Sequence, residues 1–306
     1  MMMRRSGVAG ARYLNLVLLL VLGTVWGASY LFIKVTVAEV PALTLVAGRL
    51  SAAALTMWGI GRALRLAMPR SGRMWMAYAW LGLLGLAVPY SLITWGEQYI
   101  PSGLASLLQA TTPLFTVLLA QLLTADERIT WGKGIGVFLG FAGVVLLMLP
   151  DLRAGVHIGL QGQLAIVGAS LCYAWTAIYS RRWLRGQQPL TSATGQLTMG
   201  AAFVLPISLL VDRPFHLSPS LPALGSWLAL TLLGTVVAYG IYFTLIARTS
   251  ATFTTMVTYI IPINGLVLGA LVLHEPFSGT VVGSLALILA GILLVRGRDA
   301  LKAQSD

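Results

Sequence analysis

Charge is what this 306-residue chain has least of. Asp, Glu, Lys and Arg make up 9% of it, against a hydrophobic share of 58%. Soluble domains carry roughly a quarter of their residues as charges, so a water-soluble fold is excluded. The single cysteine, Cys172, lies in an apolar stretch, which excludes an intrachain disulfide and leaves no redox pair. The three histidines, His157, His216 and His274, have spacings that match no ligand motif, and no metal site is expected. Carboxylates are scarce too. Asp126-Glu127, beside Arg128, is the nearest approach to the acidic cluster that a membrane-embedded enzyme would need for metal or acid–base work. The glycine-rich stretch Trp131-Gly132-Lys133-Gly134-Ile135-Gly136 lacks the Walker spacing, so no nucleotide and no other cofactor is expected. The net charge of +11 is not gathered on one face, which argues against a nucleic-acid partner.

What is present is a series of ten apolar runs, each near the roughly 20 residues that cross a bilayer. They read as 14–35, 41–60, 74–96, 102–123, 131–149, 162–181, 191–211, 226–247, 252–272 and 279–296. The expected fold is therefore all-α and integral to the membrane, with lipid as a partner. Lys and Arg gather in alternate connections. Arg62, Arg65, Arg70, Arg73, Arg181, Arg182, Arg185 and Arg248 share one side with both termini, while Lys34, Arg153 and Arg213 fall on the other. By the positive-inside bias, both termini are cytoplasmic.

The chain also repeats itself. Gly85, Tyr90, Ala105, Ser106 and Pro113 stand 149 residues before Gly234, Tyr239, Thr254, Thr255 and Pro262. Pro41, Glu127 and Gly143 stand 148 before Pro189, Glu275 and Gly291, and the stretch from Trp26 stands 147 before that from Tyr173. Two copies of a five-span unit must enter the membrane in opposite senses, the usual scaffold of a secondary transporter with its site between the halves. The expected units are 14–149 and 162–297, with tails 1–13 and 298–306.

Trp26-Gly27-Ala28-Ser29-Tyr30, Arg49, the run Tyr99-Ile100-Pro101-Ser102-Gly103-Leu104-Ala105-Ser106-Leu107-Leu108, Pro113-Leu114-Phe115 and Asp126-Glu127-Arg128-Ile129-Thr130 together resemble the EamA type of the drug/metabolite transporter superfamily. His274-Glu275-Pro276 repeats the acidic-turn element in the second half. The resemblance implies ten helices in two inverted five-helix repeats, with a central cavity lined by spans 1, 3, 4, 6, 8 and 9. It also implies a bacterial inner-membrane protein that moves small metabolites, amino acids among them, often outward. A membrane-embedded enzyme or a lipid flippase acting on a lipid-linked substrate is the alternative. The expected assembly is a monomer or weak homodimer.

On those spans, the residues expected to meet cargo are Trp26, Tyr30, Tyr90, Thr94, Gln109, Thr112, Tyr173, Thr176, Tyr239, Tyr242, Thr258 and Tyr259. Pro113 and Pro262 each remove an intrahelical donor near mid-span and are expected to kink a gate, freeing the carbonyls of Gln109 and Thr258. Two charges lie at membrane depth. A buried arginine must face protein or water: Arg49 either attracts a cargo carboxylate or pins helix 2 by bonding main-chain carbonyls, and since the resemblance puts span 2 outside the cavity wall the second is the favoured expectation. Glu97 either meets cargo or is a solvated helix end. Spans 1 and 6 carry no acidic residue, unlike the proton-coupled small drug exporters of the superfamily, which points to neutral or zwitterionic cargo. Glycines at 132, 136, 140 and 143, and at 279, 283 and 291, are expected to form a close helix seam.

Overall fold

The computed structural model describes residues 3–124, 129–155, 157–249 and 251–302, with side chains described within 13–124, 129–155, 157–249 and 253–295. Ten helical spans follow one another without a strand among the described residues. They are α1 (Met3–Val37), α2 (Ala42–Ala63), α3 (Gly72–Gly96), α4 (Ser102–Leu123), α5 (Trp131–Ala154), α6 (His157–Trp183), α7 (Pro189–Val211), α8 (Leu221–Arg248), α9 (Ala251–Thr254 and Val257–Val272) and α10 (Gly279–Lys302). Prolines open three of them: Pro41 and Pro101 immediately precede α2 and α4, and Pro189 is the first residue of α7. Proline suits this place because the first-turn N–H has no intrahelical partner. Gly155, in the left-handed region at φ 66°, ends α5.

Seven of these helices are long and apolar enough to cross a bilayer by themselves, while the apolar stretches of α9 and α10 are shorter. α6 is diluted by Gln161, Gln163, Ser170, Thr176 and Ser180. It begins five residues earlier than expected, at His157, which is therefore helical rather than in a loop. Large apolar side chains stand exposed around the outside, Phe138, Leu210 and Leu271 among them. So much uncovered apolar surface is what a bilayer demands and water does not tolerate.

The packing follows the repeat. α5 lies against α10 and α2 against α7; α1 packs on α8 and α9, and α6, its counterpart in the other half, packs on α3 and α4. The α5–α10 seam is closest at Gly136 and Gly291, where a Cβ on either would sit within 2.6 Å of the other's carbonyl oxygen. Gly143 likewise lies against the Ser284 carbonyl. The expected seam needs correction at its ends. Gly132 and Gly279 face open space, and Gly283 has only ordinary contact with Leu146.

Both α3 and α8 contain a π-helical turn, Leu83–Ala87 and Leu232–Val237, at matching places in the two halves. Such turns insert a residue and leave a carbonyl without its usual partner. In α8, Thr235 Oγ1 donates to the Leu230 carbonyl at 3.3 Å. Each turn carries the glycine that meets the first helix of the other half: Gly85 lies against Thr176, and Gly234 against the Ser29 hydroxyl. A methyl group at either would be within 2.8 Å of those atoms.

The prolines behave less symmetrically than expected. α4 breaks at 110–111, just ahead of Pro113, and the freed Gln109 carbonyl accepts from Thr112 Oγ1 at 2.9 Å. Pro262 instead lies inside a continuous helix, and the break in α9 comes at 255–256.

Candidate functional site

A cavity of about 630 Å³ lies between the halves. Of the residues expected to meet cargo, the structure brings ten to its wall: Trp26, Tyr30, Tyr90, Gln109, Thr112, Tyr173, Thr176, Tyr239, Tyr242 and Thr258, with Pro113 and Pro262 beside them. Trp26 packs on Tyr242 with centroids 5.7 Å apart, and Tyr239 stacks on Phe243 at 5.8 Å. The symmetry mates Tyr90 and Tyr239 both stand on this wall. Both follow a π-turn closely, so the inserted residue sets the direction in which each ring points.

Two expected residues are not on the wall. On α3 the lining side chains are Leu86, Tyr90 and Ile93, one helical face; Thr94, the next residue round, is turned into the packing and is 1% exposed. Tyr259 packs against the largest apolar cluster instead.

The structure separates the two intramembrane charges. Arg49 is on the cavity wall although it belongs to α2. Its Nε donates to Thr235 Oγ1 at 3.0 Å, and its guanidinium lies 4.2 Å from the Tyr90 ring centroid. Glu97 is off the wall and fully buried, and among the described residues no hydrogen-bond donor reaches either carboxyl oxygen. It is therefore not a solvated helix end. The Lys34 ammonium donates to the main-chain carbonyls of Glu97 and Ile100, the latter at 2.9 Å.

The wall also includes residues not expected from the sequence: Ser29 and Ile33 on α1, Pro189, Ser192 and Gln196 on α7, and Gln187 before it. Ser192 and Gln196, polar and four apart in a span otherwise interrupted only by Thr191, Thr194, Thr198 and Ser208, share one helical face, and that was the available signal.

The cavity reaches only one end of the molecule. Leu184, Gln187, Pro189 and Ile246 line it toward the end that carries Arg181, Arg182 and Arg185. At the other end Ile33, Val37, Ile93 and Ile100 are buried in a plug. Three carboxylates clasp the halves together at this plugged end. Glu275 accepts from the N–H groups of Ser102 and Gly103 at 2.6 and 2.9 Å, capping α4. Asp212 accepts from the N–H and hydroxyl of Thr44 at 2.7 and 2.8 Å, in the first turn of α2. Glu39 accepts from the N–H and hydroxyl of Ser220, both at 2.6 Å, and these bonds hold its carboxyl below the usual carboxylate range. Anions at helix N-termini meet orphan donors and the positive end of the dipole.

No group of three or more metal-ligating side chains occurs among the described residues. Asp126, Glu127 and Arg128 lie outside the described residues.

Comparison with known proteins adds the following. The profile of the EamA-like transporter family matches residues 14–149 and again 160–297. The uncharacterized transporter YvbV of Bacillus subtilis is 27% identical over 293 residues, covering 94% of this chain and 92% of that protein. The uncharacterized inner membrane transporter YedA of Escherichia coli K12 is 27% identical over 276 residues, covering 89% and 87%. A crystal structure 20% identical in sequence superposes with a TM-score of 0.65, over 92% of this chain and 95% of that one, and shows the same fold.

Proposed function

Because the chain belongs to the EamA-like transporter family, whose profile accounts for both of its halves, we propose that it is a secondary transporter exporting amino acids or related small metabolites by alternating access. The observation that carries this reading is the cavity between the halves, open toward one end and plugged at the other. Exchange of two such states, each binding cargo with its own affinity, is the minimal transport cycle. The volume, about 630 Å³, is in the range of small-molecule sites. Rings of Trp26, Tyr30, Tyr90, Tyr239 and Tyr242 supply apolar contact, and the tyrosine hydroxyls with Gln109, Thr112, Thr176 and Thr258 supply hydrogen-bonding groups.

The test is counterflow in proteoliposomes with labelled amino acids. Saturable uptake accelerated by internal unlabelled cargo is expected, and its absence across the panel overturns the reading. Tyr90→Phe and Tyr239→Phe each remove one hydroxyl, worth about 0.5–1.5 kcal/mol, so each is expected to weaken cargo binding a few-fold.

The arginine-rich end fits the cytoplasm of a bacterial cell, with the protein in the inner membrane, both termini inside and the cavity facing inward. A cysteine placed at Ser218 is then expected to react with an impermeant thiol reagent in intact cells, and one placed at Arg65 is not. The opposite labelling pattern reverses the orientation.

A further inference from the structure

Arg49 breaks the two-fold pattern of the cavity. The residue 148 places later is Leu197, buried in an apolar cluster, and the counterpart of its partner Thr235 is Leu86. One half of the site therefore carries a guanidinium and its acceptor where the other carries two leucines.

That guanidinium is built in, not stranded. It is 95% buried, yet it forms part of the cavity wall. Its partners are a hydroxyl on Nε and the face of Tyr90. The Nη nitrogens make no hydrogen bond among the described residues, and they are not sealed off as buried unpaired atoms. The π-turn of α8 creates the space: Gly234, one residue before Thr235, has an Arg49 Nη 3.8 Å from where its Cβ would be. No Asp or Glu stands on the described wall, and Arg49 is its one charge. An arginine at this depth is costly unless a counter-group meets it. Its planar fork is the best match among side chains for a carboxylate, and the ring beneath it holds the fork in place.

We infer that Arg49 is the carboxylate subsite of the cavity: the cargo is a small carboxylate-bearing molecule whose acid group docks on the Arg49 Nη nitrogens, with its remaining part against the aromatic wall. The inference rests on the transporter reading and narrows it to acids and zwitterions. It excludes amines and amides as preferred cargo, since they bring either a like charge or no anion to the fork.

Probe binding tests it. Thermal stability of the purified full chain is measured with the twenty L-amino acids, the corresponding 2-oxoacids, the C-terminal amides of the same amino acids and the matching primary amines. At least one carboxylate is expected to bind, about ten- to a hundredfold more tightly than its own amide, the range a charge-assisted hydrogen bond supports. Arg49→Gln removes that preference, and Arg49→Lys retains part of it. Thr235→Val, which keeps the charge and loosens its aim, weakens carboxylates without improving amides. Equal binding of acid and amide by the wild type, binding of amines alone, or no binding by any carboxylate overturns the inference, and none of these readouts needs a variant to fold. Counterflow of the same compounds separates the two readings. Saturable transport of amines without carboxylates leaves the transporter standing and the subsite fallen. Arg49-dependent carboxylate binding without flux does the reverse.

Discussion

Gly291→Val is expected to yield no monodisperse protein after detergent extraction, while Gly132→Val elutes and melts like the wild type. Both glycines belong to the same pair of helices, so composition alone does not separate them. The difference is what a side chain would meet. At Gly291 a Cβ would lie 2.5 Å from the Gly136 carbonyl oxygen and 2.7 Å from the Gly140 nitrogen, both main-chain atoms that no rotamer change can move. At Gly132 nothing lies within 4 Å. Ordinary overpacking costs about 1–3 kcal/mol, and a branched side chain wedged between two backbones belongs at or above the top of that range. Helices in a membrane lack a hydrophobic drive toward one another and depend on such close approach. Size-exclusion profile and thermal unfolding measure the effect. A wild-type profile for Gly291→Val would show that the halves are not held together along α5 and α10.

Glu275→Ala is expected to open the plugged end. The carboxylate reaches from the α9–α10 turn to the first turn of α4, so its removal leaves the N–H groups of Ser102 and Gly103 without partners, and both residues are buried. An unsatisfied buried donor costs about 1–3 kcal/mol. Since Glu275 is itself only half-buried, water recovers part of this. Even about 1.4 kcal/mol is a tenfold change in the ratio of plugged to opened forms. The carboxylate also rests on α9: a methyl group at Gly269 would be 2.3 Å from its Oε2, so Gly269→Ala is expected to act in the same direction. Cysteine reactivity at Ile100, 2% exposed in this structure, measures the change from the plugged side. Unchanged reactivity in both variants would mean that the clasp does not hold the plug.

The helices and their order were legible because apolar run length is a strong signal and the 147–149-residue echo survived in residues such as Pro41/Pro189 and Tyr90/Tyr239. The π-turns were not. Leu83–Ala87 and Leu232–Val237 are composed of ordinary helix residues, and a one-residue insertion leaves no composition or spacing mark within one copy. The same turns bear on Arg49, whose place on the cavity wall is not legible from its span alone. The residue count puts it on a helix outside the expected wall, and only the displaced backbone around Gly234 opens a way for its long side chain into the cavity. Glu97 escaped for a different reason. Its position at a helix end suggested solvent, while its burial depends on α1 and α4 closing over it, a tertiary fact. The clasps of Glu39 and Asp212 link residues 181 and 168 apart, and nothing local announces them.

An inverted repeat offers a carrier two end states that are mirror exchanges of one another, and a perfectly symmetric chain would occupy both equally. This chain does not have that indifference. The place of Glu39 is taken in the other half by Gln187, 148 residues on, and Leu64 stands 148 residues before Asp212. If the opposite end closed by the same geometry, two of its three clasps would lack their anions. If the chain works by the alternating access proposed above, the missing anions would weight the empty form toward the state with its cavity at the arginine-rich end. On that reading the bias gives the cycle a resting position, a preferred side on which the unloaded form waits, without by itself giving transport a direction.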